Sequence, residues 1–192
     1  MTPRPSGPIV ALVMAIGCLS AAPLRAQAVS DSAEFANWRQ VHKEDVDGLR
    51  QKFMALARAI PADKLGWRPM AGSRSFHEVF AHIAAEGFVE PVGFGRPLPA
   101  GSVANFDAEE ARLSALPDDQ LLAAMDRAME NLSATFGGLS LTKMNTPFQF
   151  FGQRTFPRAA VTYSLIDLHE HLGQLVSYAR MNQIVPPWSR RN

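Results

Sequence analysis

Two histidine–carboxylate pairs in this sequence have the spacing that sets side chains one helical turn apart. Asp167 and His171 stand at i, i+4, so a carboxylate oxygen and an imidazole nitrogen can converge on one point. His82 and Glu86 repeat the arrangement with the histidine first. Donors of this kind ligate divalent metals or pass protons, and helical bundles project such groups inward from facing helices. Around Asp167 and His171 a polar stripe extends through Tyr163, Gln174 and Tyr178 at three- and four-residue steps. A solvent-facing stripe would carry Lys, Arg and Glu. This one runs beside an apolar flank of Leu165, Leu168, Leu172, Leu175, Val176 and Ala179, which is suited to core packing. His169 is two residues from His171, roughly 200° round a helix, and points away.

Helices must carry these pairs. Residues 163–188 read as one helix. Ser75 and Glu78 form a capping box that opens a second helix, expected to end before Pro91, with Phe76, Val79, Phe80, Ile83 and Gly87 as its core stripe. His82 and Glu86 lie on the flank of that stripe, whereas His77, about 140° from His82, is expected to face water. A helix over residues 32–60 starts at a capping box of Asp31 and Glu34, stops at Pro61, and buries Phe35, Trp38, Val46, Leu49, Phe53, Leu56 and Ile60. His42 sits on that face, where a lone histidine is more often a hydrogen-bonded core residue than a ligand, so it is placed behind the ligands. A further helix over residues 118–136 ends at Gly137-Gly138 and buries Leu121, Leu122, Met125, Met129, Leu132 and Phe136.

The connectors are long. Residues 61–74 are turn-rich, and residues 91–117 are dense in glycine and proline, with a short helix over 107–116. The aromatic run PFQFFGQRTF between Gly138 and Pro157 reads as a loop or small hairpin, either packing on the bundle or closing over a site. Four long amphipathic segments with such connectors predict an all-α fold, a four-helix bundle with long crossover connections.

The chain opens with an address. Arg4 precedes the apolar run 9–19, and Ala26-Gln27-Ala28 supplies small residues for cleavage, so residues 1–28 read as a secretory signal and residues 29–192 as one domain. Cleavage after Ala26 fits almost as well as after Ala28. The apolar run is shorter than the ~20 residues of a permanent span. Cys18, the only cysteine, follows Gly17 and offers lipid attachment as an alternative, with Ala15 where such a signal usually has Leu. Without residues 1–28 the chain loses Arg4, Arg25 and Cys18, leaving 17 basic against 18 acidic residues. A periplasmic or secreted domain with no cysteine must be stabilised by its core, and thiolate ligands and cysteine nucleophiles are excluded. Balanced charge without basic runs argues against nucleic acid.

LGWRPMAGSRSFHEVFAHIAAE and DLHEHLGQLVSYARMNQIVPPW resemble the DinB-like superfamily of small bacterial four-helix-bundle proteins. The resemblance implies a divalent metal held by one histidine of the second helix and two groups one turn apart on the last, which are His82, Asp167 and His171. Many members have histidine where this chain has Asp167, and the thiol-dependent isomerases of the superfamily have a carboxylate. Two imidazoles and a carboxylate leave positions open for water and suit Zn²⁺ or Ni²⁺ foremost, with Fe²⁺ or Mn²⁺ as alternatives. A metal-free buried hydrogen-bonded network is the competing reading.

With a metal, a bound water becomes an acidified nucleophile, Glu86 is the candidate general base or a partner behind a ligand, and Gln174 and Tyr163 orient. The expectation is an exported metal-dependent hydrolase acting on a small molecule. A non-catalytic metal-binding or stress protein, or a thiol-dependent transferase as in superfamily relatives, are the alternatives; low-molecular-weight thiols are cytosolic, which sets the last against export. A homodimer is compatible with the bundle, and no stable membrane span remains after signal cleavage.

Overall fold

The structure, a computed structural model, describes residues 21–189, with side chains from residue 32 onward. Arg4, the apolar run 9–19 and Cys18 therefore lie outside the described residues. The fold is all-α. Its long helices are α1 (Ala21–Ala59), α2 (Phe76–Gly93), α4 (Asp118–Gly137) and α6 (Pro157–Met181), with short α3 (Phe106–Ser114) and α5 (Leu141–Met144) in the connectors. A two-stranded antiparallel hairpin, β1 (Phe148–Phe150) and β2 (Gln153–Thr155), pairs Phe148 with Thr155 and Phe150 with Gln153. The most extensive packing is α2 on α4, then α1 on α4, while α6 closes against α1 and α2. Phe53, Phe76, Phe80, Ile83, Met125, Met129, Leu132 and Phe136 are fully buried between them. Among the described residues no helix is long and apolar enough to cross a membrane.

Several boundaries differ from the sequence reading. The first helix does not start at Asp31; its backbone runs from Ala21, because the alanine-rich stretch contains no residue that breaks a helix once Pro23 sits in the first turn. The last helix starts six residues before Tyr163 and stops at Met181. There Asn182 and Ile184 donate to the Ala179 carbonyl, and Gln183 takes a left-handed conformation at φ 61°. Residues 182–188 are thus not helical apart from a 3₁₀ turn at Pro187–Ser189. His77 does not face water: its ring bonds Asp118 Oδ1 at 2.7 Å and the Ser114 carbonyl at 3.1 Å, tying α2 to the start of α4.

Helix α2 also runs through Pro91 instead of ending before it. A proline inside a helix leaves the carbonyl four residues earlier without its donor. Here that carbonyl belongs to Gly87, and Asn131 Nδ2 on α4 donates to it at 3.0 Å, replacing the lost bond. The same Gly87 lets the two helices approach closely: a Cβ there would lie 2.5 Å from the Ala128 carbonyl carbon and oxygen. Gly87→Ala is therefore expected to lower unfolding free energy by about 1–3 kcal/mol despite alanine's better helix propensity. Urea denaturation of the two proteins, compared at equal slope, checks it.

The hairpin packs inward through Phe148 and Phe150, whose rings lie 5.2 and 5.8 Å from that of Phe94. Its turn sets both Phe151 (φ 46°) and Gly152 (φ 76°) in the left-handed region, as two-residue hairpin turns require. Glycine adopts this freely, whereas for phenylalanine it costs about 1–2 kcal/mol. The Phe151 ring is left 57% exposed.

Candidate metal centre

Four side chains from the two predicted pairs meet between α2 and α6. His82, Glu86, Asp167 and His171 each offer one donor atom within 4.8 Å of all the others. Glu86 is the hub: its Oε1 lies 3.2 Å from His82 Nε2 and 3.4 Å from His171 Nε2. Asp167 Oδ1 is 3.6 Å from the same His171 nitrogen, and the two imidazole rings stand edge to face at 4.8 Å. Burial is graded across the set. Glu86 is 3% exposed, the histidines are mostly covered, and the Asp167 side chain is 49% exposed at the rim.

Both histidines are fixed from behind. His82 Nδ1 lies 2.9 Å from Glu110 Oε2, and Arg74 grips the same carboxylate from Nε at 2.9 Å. An ionised carboxylate only accepts, so His82 Nδ1 must carry the proton. On α6, Gln174 Nε2 donates to the Tyr178 hydroxyl at 2.9 Å, which turns its Oε1 toward His171 Nδ1 at 3.3 Å. Tyr178 is itself held edge-on by Trp67 and Phe76 at 5.5 and 5.6 Å. Each Nδ1 is thereby assigned as donor, and each neutral Nε2 presents a lone pair to the centre.

The consequence is a buried convergence of acceptors. Both Glu86 oxygens and His171 Nε2 have no hydrogen-bond partner, although each is shielded from solvent. Their contacts of 3.2–3.4 Å lack the alignment of hydrogen bonds. A cation at the centre would satisfy all of them together. These residues fit a divalent transition metal: two imidazole nitrogens and two carboxylates, with a backing acceptor on each histidine.

Without an ion, protons take that role. Burial opposes charging His82 and His171, yet the Glu86 carboxylate beside both outweighs it, helped by Glu110 at His82 and the Asp167 charge at His171, and both pKa values rise. Burial likewise works against the Glu86 anion, but the histidines hold it down to about 2. Asp167 goes the other way: burial and the neighbouring Glu86 push it up to about 6.

The family profile of the DinB superfamily matches residues 46–175, which span the bundle from α1 to the Gln174 side of the site. The chain belongs to the DinB superfamily. A comparison with curated proteins found no match.

Within this DinB superfamily chain the predicted residues divide. The structure brings His82, Asp167 and His171 together, adds Glu86 as their nearest common neighbour, and sets Gln174 behind His171. It does not bring in Tyr163, which is 63% exposed. Successive i, i+4 steps each drift about 40°, so Tyr163 lies about 80° from His171, while Ser164 takes the inward position. His42 is not behind a ligand either: its Nδ1 bonds the Trp38 carbonyl of its own helix at 2.7 Å and its ring stacks on Trp38 at 4.0 Å. His169 pairs with Asp45 on the outer surface at 3.1 Å, away from the centre as expected.

Three contributors were missed. Glu90 continues the i, i+4 row of His82 and Glu86, so its signal was present in the spacing; it is 6% exposed, and burial first, then the Glu86 charge, raises its pKa well above the ordinary carboxylate value. Glu110 and Arg74 left no signal. Glu110, 28 residues from His82, reaches it only because α3 folds back across α2, and Arg74, in the loop before α2, acts through Glu110.

Proposed function

We propose that this protein binds one divalent transition metal through His82, Glu86, Asp167 and His171 and uses it in hydrolysis of a small molecule outside the cytoplasm. The observation that carries the reading is the buried set of unpartnered acceptors, Glu86 Oε1 and Oε2 with His171 Nε2, aimed at one point. Leaving such groups unpaired costs about 1–3 kcal/mol each, more if charged, and a cation removes that cost for all of them. The nitrogen and oxygen donor set favours Zn²⁺ or Ni²⁺, with Fe²⁺ or Mn²⁺ next. When bound, such an ion supplies Lewis acidity toward a carbonyl or phosphoryl oxygen and acidifies coordinated water.

The protein's own groups divide the remaining work. Glu86, the sequence's candidate base, is too enclosed to exchange protons with solvent and acts as a ligand. Asp167 stands half-exposed at the rim and completes the donor set on the solvent-facing side, where a substrate would approach the ion. Glu110 and Gln174 keep the imidazole nitrogens turned inward. The export part of the proposal rests on Arg4, the apolar run 9–19 and Ala26-Gln27-Ala28.

Elemental analysis of tag-free protein, beside His82→Ala and His171→Ala, tests the metal. About one ion per chain, lost in both variants, is expected. Chelator-sensitive hydrolysis of p-nitrophenyl acetate or p-nitrophenyl phosphate, lost together with the metal in His82→Ala and His171→Ala, would carry the catalytic part; metal without turnover leaves a binding protein. A wild type that is empty and takes up neither Zn²⁺ nor Ni²⁺ overturns the proposal. N-terminal sequencing after fractionation checks export, which an uncleaved cytosolic chain would refute.

A further inference from the structure

Phe88 stands roughly 200° round α2 from Glu86, on the opposite face of that helix from the metal centre. With Leu116 and Ala124 it supplies the apolar wall of a cavity of about 310 Å³ between α4, the end of α3 and residues 99–102. That volume lies at the lower end of the ~300–1,000 Å³ range of small-molecule sites. Both charged residues in its wall are arginines, Arg112 on α3 and Arg127 on α4, and no carboxylate lines it. Asn131, one turn past Arg127, adds a neutral amide.

Arg112 is held from behind. Its Nε and Nη2 donate to the two oxygens of Glu109 at 2.8 and 2.6 Å, and the fully buried Glu109 also accepts from the Val103 amide at 2.8 Å. A buried ion pair is often no more stabilising than an apolar pair of the same size. What this one does give is a pinned loop and an arginine fixed in one orientation, with its Nη1 amino group outside the fork and able to donate elsewhere. Arg127 is left over for a different reason. The acids beside it on α4, Asp126 and Glu130, both reach Arg50 on α1, at 2.7 and 3.5 Å. Among the described residues Arg127 has no ion-pair partner.

The chemistry of the walls selects the ligand. Glu109 offsets the Arg112 charge and leaves Arg127 as the uncompensated one, so the cavity favours an anion over a neutral molecule or a cation. A guanidinium fork matches a planar carboxylate, and the Phe88, Leu116 and Ala124 surfaces suit a hydrocarbon body. We propose that this cavity binds a small organic carboxylate, its anionic end at Arg127 and the Arg112 Nη1 group and its hydrocarbon body against Phe88 and Leu116. None of these residues belongs to the metal centre, so binding here needs no ion there.

Benzoate and benzamide have nearly the same shape and differ in charge, so titrating each into the purified full chain by calorimetry separates recognition of the anion from filling of the apolar wall. EDTA in the buffer keeps a bound metal, which would itself ligate a carboxylate, out of the measurement. Benzoate is expected to bind about tenfold or more tighter than benzamide, and Arg127→Gln to weaken benzoate by about tenfold while leaving benzamide unchanged. Arg127→Lys, which keeps the charge but not the fork, should recover part of the loss. Arg127 is exposed, so both replacements leave the fold intact, and thermal melts verify this. Amide NMR shifts locate the ligand, and those of Ser102, Arg127 and Asn131 are expected to move. No benzoate binding, benzamide binding as tightly, a folded Arg127→Gln with unchanged benzoate affinity, or shifts centred on His82 and His171 would overturn the inference.

Discussion

Glu86→Gln is expected to weaken metal binding by at least about 100-fold while leaving the metal-free fold intact. Residues that merely support a ligand cost 10–100-fold when lost, and Glu86 has no other partner than the centre itself. Glutamine keeps the shape but gives up the charge and one oxygen. The metal-free protein tolerates this because His82 and His171, which owe their raised pKa values largely to Glu86, can return to the neutral form in place. Removing one member of a buried ion pair is costly when the other stays charged; here the histidines discharge with it, so the unfolding free energy should stay within about 1 kcal/mol. Competition with a chromophoric chelator measures the affinity, and urea unfolding in EDTA measures the fold. An unchanged affinity would return Glu86 to the role of base that its spacing from His82 first suggested.

The stability of the protein should depend on pH with opposite signs in its metal-free and metal-bound forms. His82 and His171 have folded pKa values above the ordinary 6.5, so their contribution is complete below that value and is lost as pH rises through the folded values. Asp167, raised from 3.8 to about 6, loses its contribution across that interval, and Glu90 acts in the same direction from 4.5 upward. Glu86 is the exception: lowered from 4.5 to about 2, it stabilises above 4.5 and fails only in acid. The metal-free protein should therefore melt at a lower temperature at about pH 8 than at about pH 5.

A metal reverses the trend because its ligands must shed those protons, so the ion's stabilisation grows with pH. At free metal about 1,000 times Kd the gain is about 4 kcal/mol, or on the order of 10 °C for a domain of this size. Scanning calorimetry with Zn²⁺ and with EDTA at both pH values checks both signs. An EDTA effect no larger at pH 8 than at pH 5 would mean that these four residues are not the ligands.

How much of this was legible follows from the range over which each signal acts. Periodicity is local, so the four long helices, the capping box at Ser75, and the pairing of Asp167 with His171 and of His82 with Glu86 could all be read before any contact was known. The i, i+4 row even extended to Glu90, had it been followed one turn further. Tyr163 was misplaced by the same rule carried too far, since 40° accumulates at each step. Pro91 gave a genuine stop signal, overridden only because Asn131 on another helix supplies the missing donor.

By itself, the sequence determined which helix faces are apolar and which carry donors, and those two facts specify an all-α bundle with two half-sites. Only the tertiary structure decided that the half-sites face each other, that Glu86 sits at their centre and Asp167 at their rim, and that Glu110 and Arg74 stand behind His82. Those outcomes depend on how closely α2 and α6 approach and on where α3 crosses, which no spacing within one helix encodes. The same holds for the arginine-lined cavity, whose walls come from α2, α3, α4 and the loop before α3. Burial, and with it every shifted pKa at the site, is a property of that assembly.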